Sequence, residues 1–378
     1  MAPEQPLPDA RLVDLFAGPG GLDVAATWLG IHSVGVEWDD DACATRAAAG
    51  LRTEHADVRK LGPSDFPTAT ILTAGPPCQT FTVAGSGNGR RALQQVVGLM
   101  HRMDQGSDVI NDVAALDDER TGLVLQPLRW ILEAEAAGRP YEAIVLEQVP
   151  AVLPLWNELA RVLRRHHYRT AVDVLRTEEF GVPQTRRRAV LLAHRDHQPL
   201  LPEPTHRVYR KGVARSAGNV DLLPWTTIGE TIKRRGHFVA VSNYGTGGDP
   251  SARGRRTSKQ PAATITGKID RTRLEGPGIT ESRSRLTIQE AGRLQTFPAR
   301  YPWSGRRQSQ QVGNAIPPRL GAHVLAAVLD RVPPDGMLDN LVREKWSPEV
   351  REANFDRLLP RAQALSRSQE LEPMLFNF

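Results

Sequence analysis

A cysteine in a rigid turn is the residue of this sequence with the clearest capacity for chemistry. Cys78 follows an apolar run that ends at Leu72, so it should lie just past the carboxyl end of a buried strand. Gly75 permits backbone angles that a side chain would forbid, and Pro76 and Pro77 fix φ on the approach to the thiol. A thiol held in this way can act as a nucleophile, although a lone cysteine is also compatible with a packing role.

A predicted strand carries a carboxyl group to the same edge of the sheet. The apolar run Tyr141 to Glu147 ends in a glutamate, which should therefore lie near Cys78. A buried carboxyl group must be protonated or paired with a cation, and a protonated one can serve as a general acid. Further along, a period of two places Arg186 and Arg188 on one side of a strand. These arginines could bind an anion, or they could form an ordinary solvated basic face.

A strand, a glycine turn and a helix at the start of the chain indicate a site for a nucleotide-like ligand. Residues 11–16 read as a buried strand, Gly18 to Gly21 as the turn and Leu22 to Leu29 as the helix. Such a turn brings backbone amides close to a ligand and occurs in many cofactor folds. The dinucleotide fingerprint needs glycine at its first, third and sixth positions, and the sixth position from Gly18 is Asp23. The pattern therefore favours a ligand without a pyrophosphate.

Two further predicted strands end in carboxylates that suit a nucleoside. Glu37 stands near the end of the run Val34 to Trp38, where a carboxylate can accept both ribose hydroxyls. Asp57 follows a third short segment and could accept from an adenine amino group. Either acid could instead be a solvated strand terminus. The glycine turn and the two acids all stand at the ends of predicted strands, and this agreement favours a nucleoside-like ligand.

Composition limits the class of protein. The 378 residues suggest two domains at roughly 150 residues each, and a hydrophobic content of 40% supports a sizeable core. The sequence has neither a run of ~18 apolar residues nor a signal peptide at its start, so a cytoplasmic protein is expected. With only Cys43 and Cys78, neither a disulfide framework nor a cysteine-rich zinc site is predicted. The excess of 48 basic over 43 acidic residues favours a polyanionic partner.

The second half of the chain differs in character from the first. After the cysteine loop, a turn rich in glycine and arginine at 85–91 precedes a short amphipathic helix around Val96 to Met103. From His194 the sequence is rich in Gly, Arg and Thr and poor in helical periodicity, which predicts a second domain. Its basic clusters, which could meet a polyanion or simply be solvated, are at 233–235, 253–259 and 268–273.

Several motifs, in order, resemble those of the DNA cytosine-5 methyltransferases. They are Phe16-Ala17-Gly18-x-Gly20-Gly21, Gly75-Pro76-Pro77-Cys78-Gln79-x-Phe81-Thr82, Glu147-Gln148-Val149, Gln184-x-Arg186-x-Arg188, Pro261 to Gly267 and Gln311-Val312-Gly313-Asn314. The resemblance covers about Leu12 to Leu329. The family usually has Phe-Ser and Glu-Asn-Val where this chain has Thr82 and Gln148, and the segment 83–118 is longer than in most relatives.

The resemblance implies a Rossmann-like α/β methyltransferase fold that depends on S-adenosyl-L-methionine and carries a smaller irregular target-recognition domain. We expect a cofactor-binding and catalytic domain over residues 1–194, completed by 308–332. A target-recognition domain with its hinge would follow over 195–307, and a C-terminal tail over 333–378. The implied reaction transfers a methyl group to carbon 5 of a cytosine flipped out of double-stranded DNA and releases S-adenosyl-L-homocysteine.

The resemblance also implies partners and residue roles. We expect a monomer that needs no metal and no membrane, acts on DNA in the cytoplasm at the nucleoid, and forms no stable complex with any cognate restriction endonuclease. Cys78 would add to carbon 6 of cytosine while Glu147 protonates or hydrogen-bonds ring nitrogen 3, and Arg186 and Arg188 would face the base. The implied cofactor residues are Phe16, Ala17, Gly18, Gly20, Gly21, Leu22, Glu37, Trp38, Asp57, Val58, Pro76, Leu123, Asn314 and Ile316. The implied DNA-binding residues are Gln79, Thr82, Arg90, Arg91, Gln184, Arg253, Arg255, Arg256, Thr264 and Lys268.

Three other functions are compatible with parts of the sequence. The first is a transfer RNA methyltransferase of the same fold. The resemblance favours DNA over RNA, because the RNA branch of the family has a much smaller recognition domain than the arginine-rich one expected here. A non-catalytic DNA-binding relative is opposed by the presence of Cys78, Glu147 and Arg188 together. An unrelated thiol enzyme is opposed by the glycine turn and by Asn314.

Overall fold

The computed structural model describes residues 10–77, 87–114, 116, 119–232, 237–242 and 253–350. The strands in this part of the chain are β1 (Leu12–Leu15), β2 (Ser33–Glu37), β3 (Thr53–His55), β4 (Ile71–Ala74), β5 (Ala143–Gln148), β6 (Arg169–Arg176), β7 (Gln184–Thr185), β8 (Arg187–His194), β9 (Val239–Val241), β10 (Arg255–Thr257), β11 (Ala262–Ala263) and β12 (Arg273–Glu275). The α-helices are α1 (Gly21–Trp28), α2 (Asp40–Ala48), α3 (Gly87–Asp104), α4 (Ile110–Ala114), α5 (Glu119–Leu123), α6 (Gln126–Ala136), α7 (Leu153–Arg165), α8 (Ile228–Thr231), α9 (Ile288–Leu294), α10 (Gln308–Asn314), α11 (Pro318–Val328) and α12 (Asp335–Arg343).

Seven strands form one sheet in the order β3-β2-β1-β4-β5-β8-β6. The five strands from β3 to β5 run parallel, whereas β8 is antiparallel to both of its neighbours. The chain order reverses between β1 and β4, which makes this position the switch point where open α/β sheets bind ligands. The α/β fold expected from the sequence is confirmed, and the carboxyl ends of β1, β2, β4 and β5 share one edge.

The sheet is buried on both faces, and its central strands are mostly apolar, with Asp14 of β1 and Thr73 of β4 hydrogen-bonded to each other. Leu12 and Ile71 pack into one hydrophobic cluster with α1 and α11, while Val13 and Leu72 pack into another with α3, α6 and α7. Successive side chains of a strand point to opposite faces, so each strand contributes to both clusters. The result is a sheet between two helical layers, which fixes the strand ends that surround the site.

Helix α3 is longer than the sequence indicates. Its amphipathic part includes Val96 and Met100, both buried, but the helix begins at Gly87, within the segment predicted to be a turn. Glycine lowers helix stability by only about 1 kcal/mol per residue. Packing of the apolar stripe can therefore maintain helical backbone through Gly87 and Gly89.

A third hydrophobic cluster contains residues from 228–294 together with Val312. Beside it, β9 pairs antiparallel with β10 and β12 in a three-stranded sheet, and β11 pairs with β7. Thr227 and Thr287 are the N-cap residues of α8 and α9, and in each helix the glutamate three residues later completes a capping box. This part of the chain therefore has a core distinct from the two that flank the large sheet.

The segment after α11 returns to the large sheet. Leu338 of α12 joins the cluster around α1, and Arg319 forms ion pairs with Asp335 and Asp339. The indole Nε1 of Trp346 donates to the carbonyl oxygen of Ala49 at 2.7 Å. Residues 335–346 thus belong to the packed structure. None of the helices in the described ranges has the length and apolar character needed to cross a membrane.

Candidate active site

A cavity of about 560 Å³ lies at the shared edge of β1, β2, β4 and β5. Volumes of this size accommodate a nucleoside-sized ligand. The predicted cofactor residues that line it are Phe16, Ala17, Gly18, Gly21, Leu22, Glu37, Trp38, Pro76, Leu123, Asn314 and Ile316. Glu147 and Arg188 line the same cavity, which brings predicted cofactor and catalytic residues together.

The glycine turn lets the first helix approach the returning end of the chain. A Cβ on Gly21 would lie 2.4 Å from the carbonyl oxygen of Ile316, so only glycine fits there. Gly20 has a φ of 97°, and a Cβ there would lie 2.2 Å from Leu51 Cδ1. Gly20 therefore allows the turn to pack against Leu51 outside the cavity lining, whereas Gly21 forms part of the cavity wall against Ile316.

Glu37 is held firmly at the end of β2. Its Oε2 accepts from the backbone N–H of Gly18 at 2.8 Å, and its Oε1 accepts from those of Trp38 and Asp39, each at 2.8 Å. A carboxylate has about four lone-pair positions, so acceptor capacity remains for a ligand hydroxyl. The neighbouring Trp38 ring is 67% exposed and lines the cavity, which leaves an aromatic face available at its rim.

Asp57 and Val58 are not among the residues that line this cavity, which differs from the prediction. Asp57 caps a short 3₁₀ turn, and its Oδ2 accepts from Arg59 Nε at 2.9 Å. Hydrogen bonds from Arg59 lower the pKa of Asp57. Val58 is buried in the core, and its carbonyl oxygen accepts from Arg129 at 2.8 Å. Arg59 pairs with the carboxylate that was expected to accept from adenine, a contact that the pattern of strand ends does not show.

The end of β5 lies beside the segment that follows β4. Glu147 is 7% exposed and forms an ion pair with Arg188. A Cβ on Gly75 would be 3.6 Å from Glu147 Oε2, which places this carboxylate beside a residue three positions before Cys78. Cys78 itself lies outside the described residues, as do two predicted DNA contacts, Gln79 and Thr82.

Gln148 connects the two strand ends directly. Its Nε2 donates to the carbonyl oxygen of Pro76 at 2.5 Å, and its Oε1 accepts from the backbone N–H of Val149 at 2.5 Å. The amide therefore holds the proline segment that leads to Cys78. The glutamine supplies a brace to this loop although the family usually has asparagine at the position.

Arg186 does not face the cavity, which corrects the prediction for this residue. It is 2% exposed, and its guanidinium donates to the carbonyl oxygens of Ile265 at 2.8 Å, Gly313 at 2.9 Å and Ala315 at 3.2 Å. The strand is interrupted here, with β7 ending at Thr185 and β8 beginning at Arg187, so the period of two does not run through it. Arg186 instead joins three segments of the fold.

Gln184, predicted to bind DNA, is also buried and internally bonded. Its Oε1 accepts from the backbone N–H of Ile265 at 2.9 Å, and its Nε2 donates to the carbonyl oxygen of Leu294 at 2.9 Å and to Gln295 Oε1 at 2.5 Å. Both hydrogens of the amide nitrogen are donated within the protein, and the residue is 0% exposed, so the side chain is not accessible to a nucleic acid. The side chain holds the predicted recognition domain to the large sheet.

The other predicted DNA contacts differ in their surroundings. Thr264 is exposed, and its Oγ1 donates to the carbonyl oxygen of Thr185 at 2.7 Å. Arg255 pairs with Glu275 at 2.9 Å, and Arg256 lies 4.4 Å from the centre of the Tyr209 ring. Lys268 is exposed and Arg253 is half-buried. Arg90 and Arg91 lie within α3, and their side chains are outside the described part of the structure.

The sequence analysis did not identify several residues of the cavity wall. Asp14 is 2% exposed, accepts from Thr73 Oγ1 at 2.6 Å, and has a pKa raised well above its usual range by burial. Its place within an apolar strand could have indicated a buried acid. Asp39 and Arg307 also line the cavity, but they stand in polar surface segments that a motif search passes over. In the described ranges, no group of three or more His, Cys, Asp or Glu residues is placed to hold a metal ion.

Known proteins share both the sequence pattern and the fold. The family model of C-5 cytosine-specific DNA methylases matches residues 10–101, 112–220 and 214–330. Type II methyltransferase M1.HphI of Haemophilus parahaemolyticus is 25% identical over 349 residues, covering 84% of this chain and 86% of that protein. Type II methyltransferase M.BbvI of Brevibacillus brevis is 25% identical over 371 residues, covering 84% and 90%.

Solved structures show the same fold at lower identity. The methyltransferase EhMeth of Entamoeba histolytica superposes with a TM-score of 0.57 at 13% identity, covering 86% of this chain and 99% of that one. The Dnmt2 methyltransferase of S. pombe gives a TM-score of 0.54 at 16% identity, covering 88% and 99%. The family model matches most of the chain, and residues from several of its motifs, including Phe16, Glu147, Arg188 and Asn314, line one cavity. This protein therefore belongs to the C-5 cytosine-specific DNA methylase family and is a DNA cytosine-5 methyltransferase.

Proposed function

We propose that the cavity binds S-adenosyl-L-methionine and that the enzyme methylates carbon 5 of a cytosine flipped out of a short specific sequence in double-stranded DNA. The observation that carries this proposal is the position of the Glu147–Arg188 pair. The pair lines the same cavity as Phe16 and Glu37, next to the segment that leads to Cys78. A methyl donor bound in the cavity would therefore lie next to a cytosine bound at the Glu147–Arg188 pair.

The residues of the cavity fit the methyl donor. Glu37 retains acceptor capacity for a ribose hydroxyl, and Trp38 and Phe16 offer aromatic faces for an adenine ring. The close approach of Gly21 to Ile316 leaves the turn free of side chains. When bound, S-adenosyl-L-methionine would supply an electrophilic methyl group and leave as S-adenosyl-L-homocysteine.

Cys78 would provide the nucleophile. The other cysteine of the chain is unsuited, because burial raises the pKa of the Cys43 thiol to about 11 and keeps it protonated near neutral pH. Addition of the Cys78 thiolate to carbon 6 of cytosine makes carbon 5 nucleophilic enough to take the methyl group. Transfer of the carbon 5 proton to a base, for which water is the candidate, then breaks the bond between Cys78 and carbon 6 and restores the aromatic ring.

Glu147 and Arg188 would bind the ring during this addition. Glu147 would donate a proton or a hydrogen bond to ring nitrogen 3, which removes the negative charge that the thiolate brings to the ring. Arg188 would contact the ring carbonyl oxygen and orient Glu147, with which it forms an ion pair when the acid is ionised. The two side chains would thereby stabilise charge that develops during addition of the thiolate.

Residues 195–307 would form the target-recognition domain, and 1–194 with 308–332 the catalytic domain. The separate hydrophobic cluster within 228–294 supports this division. The exposed Thr264 and Lys268, with the basic residues from Arg253 to Arg256, would contact the duplex. We infer that the enzyme acts as a monomer on nucleoid DNA in the cytoplasm. Any restriction endonuclease of the same specificity would act without forming a stable complex with it.

Base-resolution methylation sequencing of DNA from cells that express the chain tests this function. We expect 5-methylcytosine at one position of a single short sequence, and none above background in cells that express Cys78→Ser. Methylated transfer RNA with unmodified DNA would assign the protein to RNA instead. Purified protein that fails to bind S-adenosyl-L-methionine would overturn the assignment of the cavity.

A further inference from the structure

An arginine outside the family motifs joins two walls of the cavity. Arg307 precedes α10 and lines the cavity. Its Nε donates to Asp41 Oδ2 at 2.8 Å, and its Nη2 donates to Asp39 Oδ2 at 2.5 Å. These partners are 266 and 268 residues away along the chain. The guanidinium therefore ties the returning end of the chain to the turn after β2.

The backbone around Arg307 fits closely onto Asp41. The backbone N–H of Arg306 donates to Asp41 Oδ1 at 2.7 Å, and hydrogen bonds from this segment lower the pKa of Asp41. Gly305 has a φ of 79°, and a Cβ on it would lie 2.7 Å from Asp41 Oδ1. The backbone N–H of Ser304 donates to Thr45 Oγ1 at 2.8 Å. Residues 304–307 are therefore seated on the start of α2 by contacts that require this exact pairing of segments.

The two joined segments carry the residues proposed to hold the methyl donor. Glu37 and Trp38 immediately precede Asp39, and α10, which contains Asn314, begins immediately after Arg307. All of them line the cavity. A change in the distance between the segments would therefore move one wall relative to the other.

We propose that Arg307 is a positioning residue for S-adenosyl-L-methionine, whose ion pairs with Asp39 and Asp41 hold the two walls at the spacing that binds this ligand. The inference rests on the proposed function of the cavity. Without the pairs, the walls would populate wider arrangements, and the apparent affinity would fall with the fraction of protein that remains competent to bind. Arg307 acts through the wall and takes no part in methyl transfer itself.

The expected effect is moderate and depends on salt. The side chain of Arg307 is 55% exposed, and exposed ion pairs are weak individually and screened by ions. Because one guanidinium serves two carboxylates, we expect Arg307→Ala to raise the dissociation constant for S-adenosyl-L-methionine roughly three- to tenfold. Most of the change should be in faster dissociation, since opening of the wall releases the ligand.

Calorimetry and stopped-flow dissociation of S-adenosyl-L-methionine from the purified full chain test the proposal. Arg306→Ala is the matched control, because it removes the same charge one residue away and keeps the backbone N–H that donates to Asp41. Arg307→Lys should restore part of the affinity. Raising the salt concentration should weaken binding to the wild type and to Arg306→Ala, and should change Arg307→Ala much less.

Two further measurements keep the result interpretable. Asp39→Asn retains an oxygen for the N-cap bond to Ala42 but removes one ion pair, so it should show a smaller loss and add little to Arg307→Ala. Thermal melting of each variant identifies a loss of fold, in which case Arg307→Lys and Asp39→Asn carry the test. Wild-type affinity and salt dependence in Arg307→Ala would overturn this inference. A wild-type protein that does not bind the ligand would overturn the proposed function instead.

Discussion

The side-chain amide of Gln148 donates a hydrogen bond of 2.5 Å to the carbonyl oxygen of Pro76. It joins the end of β5, which carries Glu147, to the proline segment that leads to Cys78. The proposed general acid and the proposed nucleophile thus belong to segments that follow the paired strands β4 and β5, and this amide joins the segments beyond the last strand pair. Their relative position should be sensitive to that one contact.

The first prediction concerns this brace. Gln148→Leu keeps a similar volume but removes the donor, so the proline segment loses its fixed position relative to Glu147. We expect kcat for methyl transfer to fall roughly tenfold, because misplacement of reacting groups by small distances lowers rates strongly. Affinity for S-adenosyl-L-methionine should fall less than kcat, because Pro76 and Gln148 form only a small part of the cavity wall. Steady-state kinetics and calorimetry measure the two effects, and a variant with the kcat of the wild type would show that the brace is dispensable.

A second prediction separates two carboxylates that the sequence treats alike. Glu37→Ala removes the acceptor for three backbone N–H groups and the proposed ribose partner, so S-adenosyl-L-methionine should bind at least tenfold more weakly. Asp57→Ala should have a much smaller effect, because that carboxylate pairs with Arg59 and does not line the cavity. Titration calorimetry decides between them. Equal losses of affinity would place Asp57 at the ligand after all.

The third prediction concerns the stability of the fold around Arg186. Arg186→Met leaves three buried carbonyl oxygens without the guanidinium that now serves them. We expect a loss of roughly 2–4 kcal/mol in the free energy of unfolding, as for buried hydrogen bonds to a charged group. Arg187→Met, at the exposed neighbouring position, is the matched control and should change stability little. Urea unfolding of both variants measures this, and equal midpoints would contradict a structural role for Arg186.

The fourth prediction is a dependence of stability on pH. Burial raises the pKa of Glu178 to about 7, and its side chain is 3% exposed. Because the folded-state pKa lies above the unfolded value, folding is favoured by the protonated acid, and stability is lost as pH rises through about 7. Glu178→Gln should therefore become more stable than the wild type as pH increases from about 4.5 to 7.5. Urea midpoints across this range test it, with the exposed Glu203→Gln as control. A constant difference between wild type and Glu178→Gln would contradict the burial of an ionisable acid here.

The ends of the apolar runs in the sequence predicted much of the cavity wall. Glu37 and Glu147 terminate apolar runs, and parallel strands bring such termini to one edge whatever the details of packing. The glycine turn was similarly local, because the strand, turn and helix follow one another within the first thirty residues. These features depend on short-range pattern, which a sequence displays directly.

Two residues that the sequence analysis misplaced or did not identify, Arg186 and Arg307, depend on contacts between distant segments. Arg186 meets Gly313, which is 127 residues away, and the break between β7 and β8 that turns it inward is not visible in the apolar pattern. Arg307 meets Asp41 across 266 residues, in polar segments without a motif. Asp57 does not line the cavity, and there the contact is local, because its carboxylate accepts from Arg59 two residues away.

The fifth prediction addresses the nucleophile, on which the account depends. DNA that carries 5-fluorocytosine at the target base can accept the methyl group, but fluorine cannot leave as a proton would, so elimination stops with the enzyme attached to carbon 6. A denaturing gel should show a stable protein–DNA adduct that requires both S-adenosyl-L-methionine and the correct sequence. Mass spectrometry should find the base on the peptide that contains Cys78, and Cys78→Ser should give no adduct. An adduct that persists in Cys78→Ser, or one attached to a peptide that contains Cys43, would contradict the proposed mechanism.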